Sequence, residues 1–400
     1  MGKIIEERKL NMDKNLTPDD IAECITSLIA RNKLWAGKKV YAYFLVNKTA
    51  GCFTNSHKSE KYKKFFSKVL EEEKSKPQCA KEVSYRIFST EYAGHAKDLT
   101  KSVIAQLIAT DEADTENIII TAGGDGTSLE VQTALYKCAM EGPKHRDAIM
   151  NKIALLRLPL GTGNDGTDGH AIEETVGLLR GGLLFTNARA IRVYPENTPD
   201  EAAVRACGKN PEKYQDMSFQ APWYAFNIAS IGLDAYVVYM TNTVKKKLPG
   251  NFYHLCVPLS GVVYDKHFPV DTMKIEMFGN KDDSVPAQEI NTKITLLAFG
   301  ASGNRVYGGG HKILPNENNL CVTPKINLAG LIKENHRFVD GSFVGTNLAS
   351  LHQADKIRLS YNKAILMQCD GETVMLSPAH FPLIMELTDP CLRVLQPISE

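Results

Sequence analysis

The chain is poor in tryptophan, with two in 400 residues, and it has no surplus of either charge. Its 47 Lys and Arg against 46 Asp and Glu leave a net charge of +1. That balance excludes the broad basic face by which nucleic-acid binders hold phosphates. No apolar run approaches the roughly 20 residues that a bilayer-spanning helix needs. The opening segment, MGKIIEERKLNMDKN, is broken by charges throughout and does not read as a signal peptide. Nine cysteines are present. They are odd in number and scattered, with no C-x-x-C pair and no His/Cys group at zinc spacing. This excludes a disulfide framework and leaves reduced thiols in a cytoplasmic protein as the expectation. With these classes removed, 43% hydrophobic and 23% charged residues describe an ordinary soluble chain, long enough for two domains.

The first half alternates short β-rich runs with helix-period segments. Thr17-Pro18-Asp19-Asp20 signals a helix start, followed by a stripe of Ile21, Cys24, Ile25, Leu28 and Ile29. Strands are expected at Lys39–Asn47, Glu82–Ser89, Asn117–Thr121 and Lys152–Pro159, with helices between them. This is the pattern of an α/β domain, a parallel sheet with helical crossovers. From about residue 188 helix-period segments become rare and short strand-like runs dominate, which predicts an all-β, antiparallel, sandwich-like second domain. Pro195 to Pro222 reads as a polar insert, helical only near Ala202. The expected organisation is a helical extension over 1–37, an α/β nucleotide-binding domain over 38–187, a β-rich substrate domain over 188–376, and a segment at 377–400 that can return to the first domain.

The chemistry concentrates where strands end. Ile120 to Val131, ITAGGDGTSLEV, puts three glycines around Asp125 between a strand and a helix. It lacks the Lys-Ser/Thr pair of a Walker A loop and the third glycine of a dinucleotide fingerprint. Glycines permit close approach of another group, and amides at a helix N-terminus favour an anion such as phosphate. A carboxylate there either caps its helix or handles a metal ion or a proton. Leu158 to Asp165, LPLGTGND, repeats the arrangement after the next strand, and Asn47-Lys48-Thr49-Ala50-Gly51 ends the first one. Three such turns would share the carboxyl edge of the sheet, where α/β proteins bind ligands.

These turns, with Thr90 and Gly94-His95-Ala96, resemble the catalytic domain of diacylglycerol kinases. That superfamily also holds sphingosine, ceramide and bacterial lipid kinases. The resemblance runs in order from about residue 39 to 376. It takes in Asn227-x-x-Ser230-Ile231-Gly232-Leu233-Asp234-Ala235, Gly308-Gly309-Gly310 before Pro315, and Asp370-Gly371-Glu372. It implies ATP bound between two domains, with Asn47, Thr90, Gly123, Gly124, Gly126, Thr127, Gly161, Thr162, Gly163, Asn164 and Asp370 in the nucleotide site. It also implies Asp125 beside phosphates and Mg²⁺. Asp125 or Glu372 would be the base that takes the proton from a lipid hydroxyl. The implied acceptor is diacylglycerol, then a sphingoid base or ceramide, met at a membrane surface by a cytoplasmic, peripheral protein. A homodimer is a possible assembly. Gly-Gly-Asp-Gly-Thr alone is shared with NAD kinases, so an NAD kinase-like enzyme is the alternative, and a nucleotide-binding regulator without turnover is another.

The sequence departs from the family pattern at Lys48, at Gly166-Thr167-Asp168, and at Asn316 to Leu320, where no structural metal is expected. Asp370-Gly371 also reads as a hairpin turn between strand-like runs. His145-Arg146-Asp147 has a kinase-like look without the right downstream spacing and reads as a solvated loop. Lys245-Lys246-Lys247 reads first as an exposed loop leading into the apolar run Phe252 to Tyr264, and second as a basic membrane patch. His95 reads as a local hydrogen-bonding residue.

Overall fold

The computed structural model describes residues 15–110, 114–161, 164–205, 211–218, 220–245, 253–308 and 310–398. Along the first half lie α1 (Pro18–Arg31), β1 (Lys39–Val46), α2 (Gly51–Thr54), α3 (Ser56–Lys74), β2 (Glu82–Ser89), α4 (His95–Thr110), β3 (Thr115–Gly123), α5 (Asp125–Ala139), α6 (Pro143–Asn151), β4 (Ile153–Pro159), α7 (Ile172–Arg180) and β5 (Leu183–Ala188). The second half begins with β6 (Ile191–Pro195), α8 (Glu201–Arg205), β7 (Trp223–Ala225), β8 (Ile228–Gly232), α9 (Leu233–Lys245), α10 (Tyr253–His267), β9 (Thr272–Phe278) and β10 (Gln288–Gly300). It continues through β11 (Arg305–Tyr307), β12 (His311–Leu314), β13 (Leu320–Pro324), α11 (Leu328–Asp340), β14 (Ser350–His352), β15 (Lys356–Ser360), β16 (Ile365–Cys369), β17 (Glu372–Leu376), β18 (Leu383–Leu387) and β19 (Leu392–Pro397).

The first sheet has the order β2-β1-β3-β4-β19-β5, and β1 to β4 run parallel. Parallel pairing sends every one of these strands to the same edge, so all their exits converge. The run Ile118-Ile119-Ile120 shows why the sheet is buried on both faces. Ile118 and Ile120 enter a core with α1, α3 and α7, while Ile119 enters another with α4 and α5. α1 starts where Thr17-Pro18-Asp19-Asp20 predicts, and Thr17 and Asp20 form a capping box there, with Asp20 N–H donating to Thr17 Oγ1 at 3.2 Å. The last strand, β19, lies between β4 and β5. Its Arg393 pairs with the buried Glu116 of β3 at 2.7 Å.

The second domain is built on antiparallel sheet in the order β17-β16-β8-β10-β9-β15-β18-β6-β7, with β13 and β14 branching from β10. The long β10 joins two halves. Gln288 to Lys293 pairs with β9, and the stretch from Leu296 onward lies between β8 and β13. Inward residues from both halves, among them Trp223, Ile231, Ile275, Phe299 and Met385, share one core. Three helices, α9, α10 and α11, cover this sheet, beyond the strands that the sequence pattern predicts. α9 escapes a periodicity reading because LDAYVVYMTNTVK is rich in β-branched and aromatic residues. α10 escapes because its apolar residues are spread around the helix. His145-Arg146-Asp147 needs correction: it lies in helix α6, where Pro143 occupies the first turn, not in a loop. Lys246 and Lys247 lie outside the described residues, while Lys245 ends α9. Among the described residues no helix is long and apolar enough to cross a membrane, and the eight described cysteines are unbonded.

Candidate functional site

At the carboxyl edge of the first sheet, β1 leads into Asn47, β2 into Thr90, β3 into Gly124 and β4 into the turn carrying Gly161 and Asn164. The Thr90 N–H donates to Val46 O at 2.9 Å, which ties the first two exits together. Asn47 Nδ2 reaches Thr127 Oγ1 at 3.4 Å, and its Oδ1 accepts from Thr49 N–H and Oγ–H. Thr162 and Gly163 lie outside the described residues.

Glycine is required here by contact. A methyl group on Gly161 would stand 2.5 Å from Gly124 Cα, and one on Gly123 would stand 2.7 Å from Thr127 Oγ1. The two glycine turns therefore touch backbone to backbone. Asp125 joins them. The N-cap of α5 is Gly124, with no side-chain cap, so Asp125 does not cap its own helix. Its carboxylate instead accepts from Asn164 N–H at 2.9 Å and Gly166 N–H at 3.3 Å. Asn164 adopts a left-handed backbone, φ 65°, and its Oδ1 accepts from Gly161 N–H at 3.0 Å.

The second domain meets this edge at several points. Asp165 Oδ2 accepts from Gly308 N–H at 2.9 Å, and Asn227 Nδ2 donates to Asp165 O at 3.1 Å. Gly309 lies outside the described residues. Asp370-Gly371 forms the hairpin turn between β16 and β17, with φ of 47° and 93°, the twist that a tight two-residue hairpin uses. That turn delivers Glu372 across the interface: a methyl group on Gly126 would stand 3.2 Å from Glu372 Oε1. The carboxylates of Asp125 and Glu372, residues far apart in sequence, thus flank the first turn of α5.

Asp370 is oriented differently from its neighbour. Its carboxylate accepts from the backbone N–H groups of Phe226, Asn227 and Ile228 at 2.6, 3.0 and 2.9 Å. Burial raises its pKa to about 6, and the charge of Asp125 adds to the rise against the pull of the three amides. It is a half-buried anchor for the β7–β8 junction. Glu130 likewise occupies the start of α4, accepting from Gly94 N–H at 2.8 Å and Ala96 N–H at 3.2 Å. His95 stacks on Tyr92 at 4.4 Å and accepts from Glu91 N–H, the local role expected of it.

Residues absent from the sequence-based site complete its charge. Arg157 of β4 binds Asp168 through Nη2 at 2.6 Å, and Asp168 also accepts from the Arg157 backbone N–H at 2.7 Å. The departure at Gly166-Thr167-Asp168 is accordingly the partner of a half-buried arginine. Arg305 reaches Asn227 Oδ1 at 3.4 Å, and burial followed by the charge of Arg157 lowers its pKa. A single charge inside the apolar KIALLRLP run was the signal for Arg157; nothing comparable marks Arg305. Asn319, in the departure at Asn316 to Leu320, is buried and bonds Gly300 O and both backbone groups of Ala354.

A glycine-built sheet edge, a helix N-terminus of the kind that suits an anion and a facing acidic hairpin from an antiparallel domain meet at this site. Residues 41–179 match the family model of the diacylglycerol kinase catalytic domain. Among solved structures it is similar to a provisionally named diacylglycerol kinase from Bacillus anthracis strain Sterne. The identity is 17%, with 88% of this chain and 96% of that one covered, at a TM-score of 0.52. A second structure with the same description and coverage gives 17% identity and a TM-score of 0.53. At these identities the likeness is one of fold. No curated protein matches the sequence.

Proposed function

We propose that the chain is an ATP- and Mg²⁺-dependent lipid kinase that transfers the γ-phosphoryl group to a lipid hydroxyl, with diacylglycerol the first acceptor and a sphingoid base or ceramide next. The observation that carries this reading is Glu372 reaching from the second domain to the first turn of α5, where Asp125 already stands. The donors at this edge suit a phosphate chain: the amides of the α5 first turn, the Thr127 hydroxyl and the Asn47 amide. The donor set also suits Mg²⁺, a hard cation that takes carboxylate and phosphate oxygens. Asp125 would hold it, and when bound it neutralises charge on the phosphates.

In this reading Glu372 takes the proton from the acceptor hydroxyl as the new O–P bond forms. Asp125, locked by Asn164 and Gly166, keeps the two glycine turns in register. Arg157 and Arg305 offset the negative charge of the site from behind. The acceptor's apolar chain has a place in the second domain. A cavity of about 280 Å³ lies between α9, α11 and β10, walled by Leu233, Val237, Leu296, Ile313, Leu331 and Phe338. Concave, mostly apolar pockets with a few polar groups are the usual form of a small-molecule site. Here the polar groups include the buried Asp234, whose pKa burial raises to about 6, and His311.

The test is transfer of label from ATP across a panel of micellar lipids, with NAD as a parallel acceptor. Labelled lipid with no labelled NADP supports the reading. Labelled NADP with no lipid product overturns it in favour of an NAD kinase-like enzyme.

A further inference from the structure

The residue between the half-buried Asp370 and the site-facing Glu372 is Gly371, and both of its backbone polar groups are held by buried or half-buried amide side chains. Gln368 of β16, fully enclosed, accepts from Gly371 N–H through Oε1 at 2.8 Å. Its Nε2 donates to Ser230 Oγ at 2.8 Å. The Ser230 hydroxyl in turn donates to the Asp234 carboxylate on the first turn of α9. On the other side of the turn, Asn242 Nδ2 donates to Gly371 O at 3.0 Å and to Asp216 Oδ2 at 3.2 Å. Asn242 is also on α9. Both polar groups of Gly371 therefore lead back to one helix.

That helix is also a wall of the apolar cavity, through Leu233, Asp234 and Val237. Val237 and Asn242 are about 7.5 Å apart along its axis. We propose that Gln368 and Asn242 are positioning residues for Glu372, and that α9 couples the filling of the apolar cavity to the placement of that carboxylate. The inference rests on the lipid-kinase reading of Glu372 and of the cavity. Two features separate it from plain fold maintenance. The hairpin is already paired along β16 and β17, from Ile365↔Leu376 to Cys369↔Glu372. Asp370 is already anchored by three amides. What remains for Gln368 and Asn242 to fix is the orientation of the Gly371 peptide groups, and with it the direction in which Glu372 leaves the turn.

The experiment uses the full chain with Asn242→Ala, Asn242→Asp and Gln368→Met, and diacylglycerols of short and long chains in mixed micelles. Wild type is expected to show a kcat that rises with chain length. Each variant is expected to lose about tenfold to a hundredfold in kcat on the long-chain acceptor, with KM for ATP within about twofold of wild type and the chain-length dependence of kcat flattened. A variant with wild-type kcat, or a loss shared equally by kcat, KM for ATP and both chain lengths, overturns the proposal. Hydrogen exchange gives a readout independent of turnover. Long-chain diacylglycerol micelles, compared with lipid-free micelles, are expected to protect the 366–376 segment in wild type and not in Asn242→Asp, whose carboxylate has no hydrogen to give to Gly371 O. Equal protection in both proteins overturns the coupling. Lipid-dependent protection in wild type without any phosphorylated lipid supports the coupling and overturns the lipid-kinase reading alone.

Discussion

The two turns that meet at the site are held by opposite means. The Gly123–Thr127 turn is held by contact: a side chain on Gly123 would strike Thr127, and one on Gly161 would strike the backbone of Gly124. The Asp370–Glu372 turn is held by polar bonds, with three amides on Asp370 and side-chain amides on both sides of Gly371. The first should fail when atoms are added. The second should fail when polar atoms are changed at constant volume.

The largest effects are expected where the turns present their carboxylates. Asp125→Asn and Glu372→Gln should each lower kcat by about a thousandfold or more while the thermal midpoint stays within a few degrees. Near-normal kcat in Glu372→Gln would show that the proton leaves by another route. Next, Gly161→Ala should remove most ATP affinity in a binding titration and lower stability by about 2–3 kcal/mol, because the backbone of Gly124 has no room to yield. An alanine variant with wild-type ATP affinity would mean that the turns can separate freely. Asp370→Asn should cost about 1–3 kcal/mol in urea unfolding with ATP affinity retained, since one of the backbone donors would then face an NH₂ group.

A smaller effect concerns Asp234. Burial raises its pKa to about 6, so between roughly pH 4 and 6 the folded state binds the proton more tightly than the unfolded chain. This contribution is present at low pH and lost as pH rises through that window. Relative to Asp234→Asn, wild type should lose on the order of 2 kcal/mol between pH 4 and 7.5. Parallel stability curves for the two proteins would contradict it. The smallest expected change is Gly126→Ala. Its methyl group would meet only the end of Glu372, at 3.2 Å, so kcat should fall about tenfold or less with ATP affinity unchanged. A loss of ATP affinity instead would assign Gly126 to the nucleotide side alone.

The same contrast explains what the sequence made legible. A turn held by contact needs consecutive glycines, and Gly-Gly-Asp-Gly and Leu-Gly-Thr-Gly-Asn are visible as such. The strands feeding them are visible because both faces are buried, as with Ile118 to Ile120. A turn held by polar bonds draws its partners from elsewhere in the chain. Asn242 and Gln368 look like any other amides, and Asp370 could not be told from Glu372 by spacing. Its carboxylate turns to Phe226, Asn227 and Ile228, more than a hundred positions away. Arg305 and Asp168 were hidden for the same reason. The helices of the second domain were hidden by composition, since valine and tyrosine in α9 argue for a strand until packing decides otherwise.

The place of β19 has a consequence for the order of events during synthesis. It fills the slot between β4 and β5, and its Arg393 closes on Glu116 of β3. The slot's two sides leave the ribosome roughly two hundred residues before the strand that fills it. Until then the nascent first sheet has two open edges at its centre, which invite pairing with other chains. The second domain must fold while its neighbour waits unfinished, and a chain released before β19 would carry both glycine turns on a sheet that cannot close, facing an acidic hairpin already built on the other.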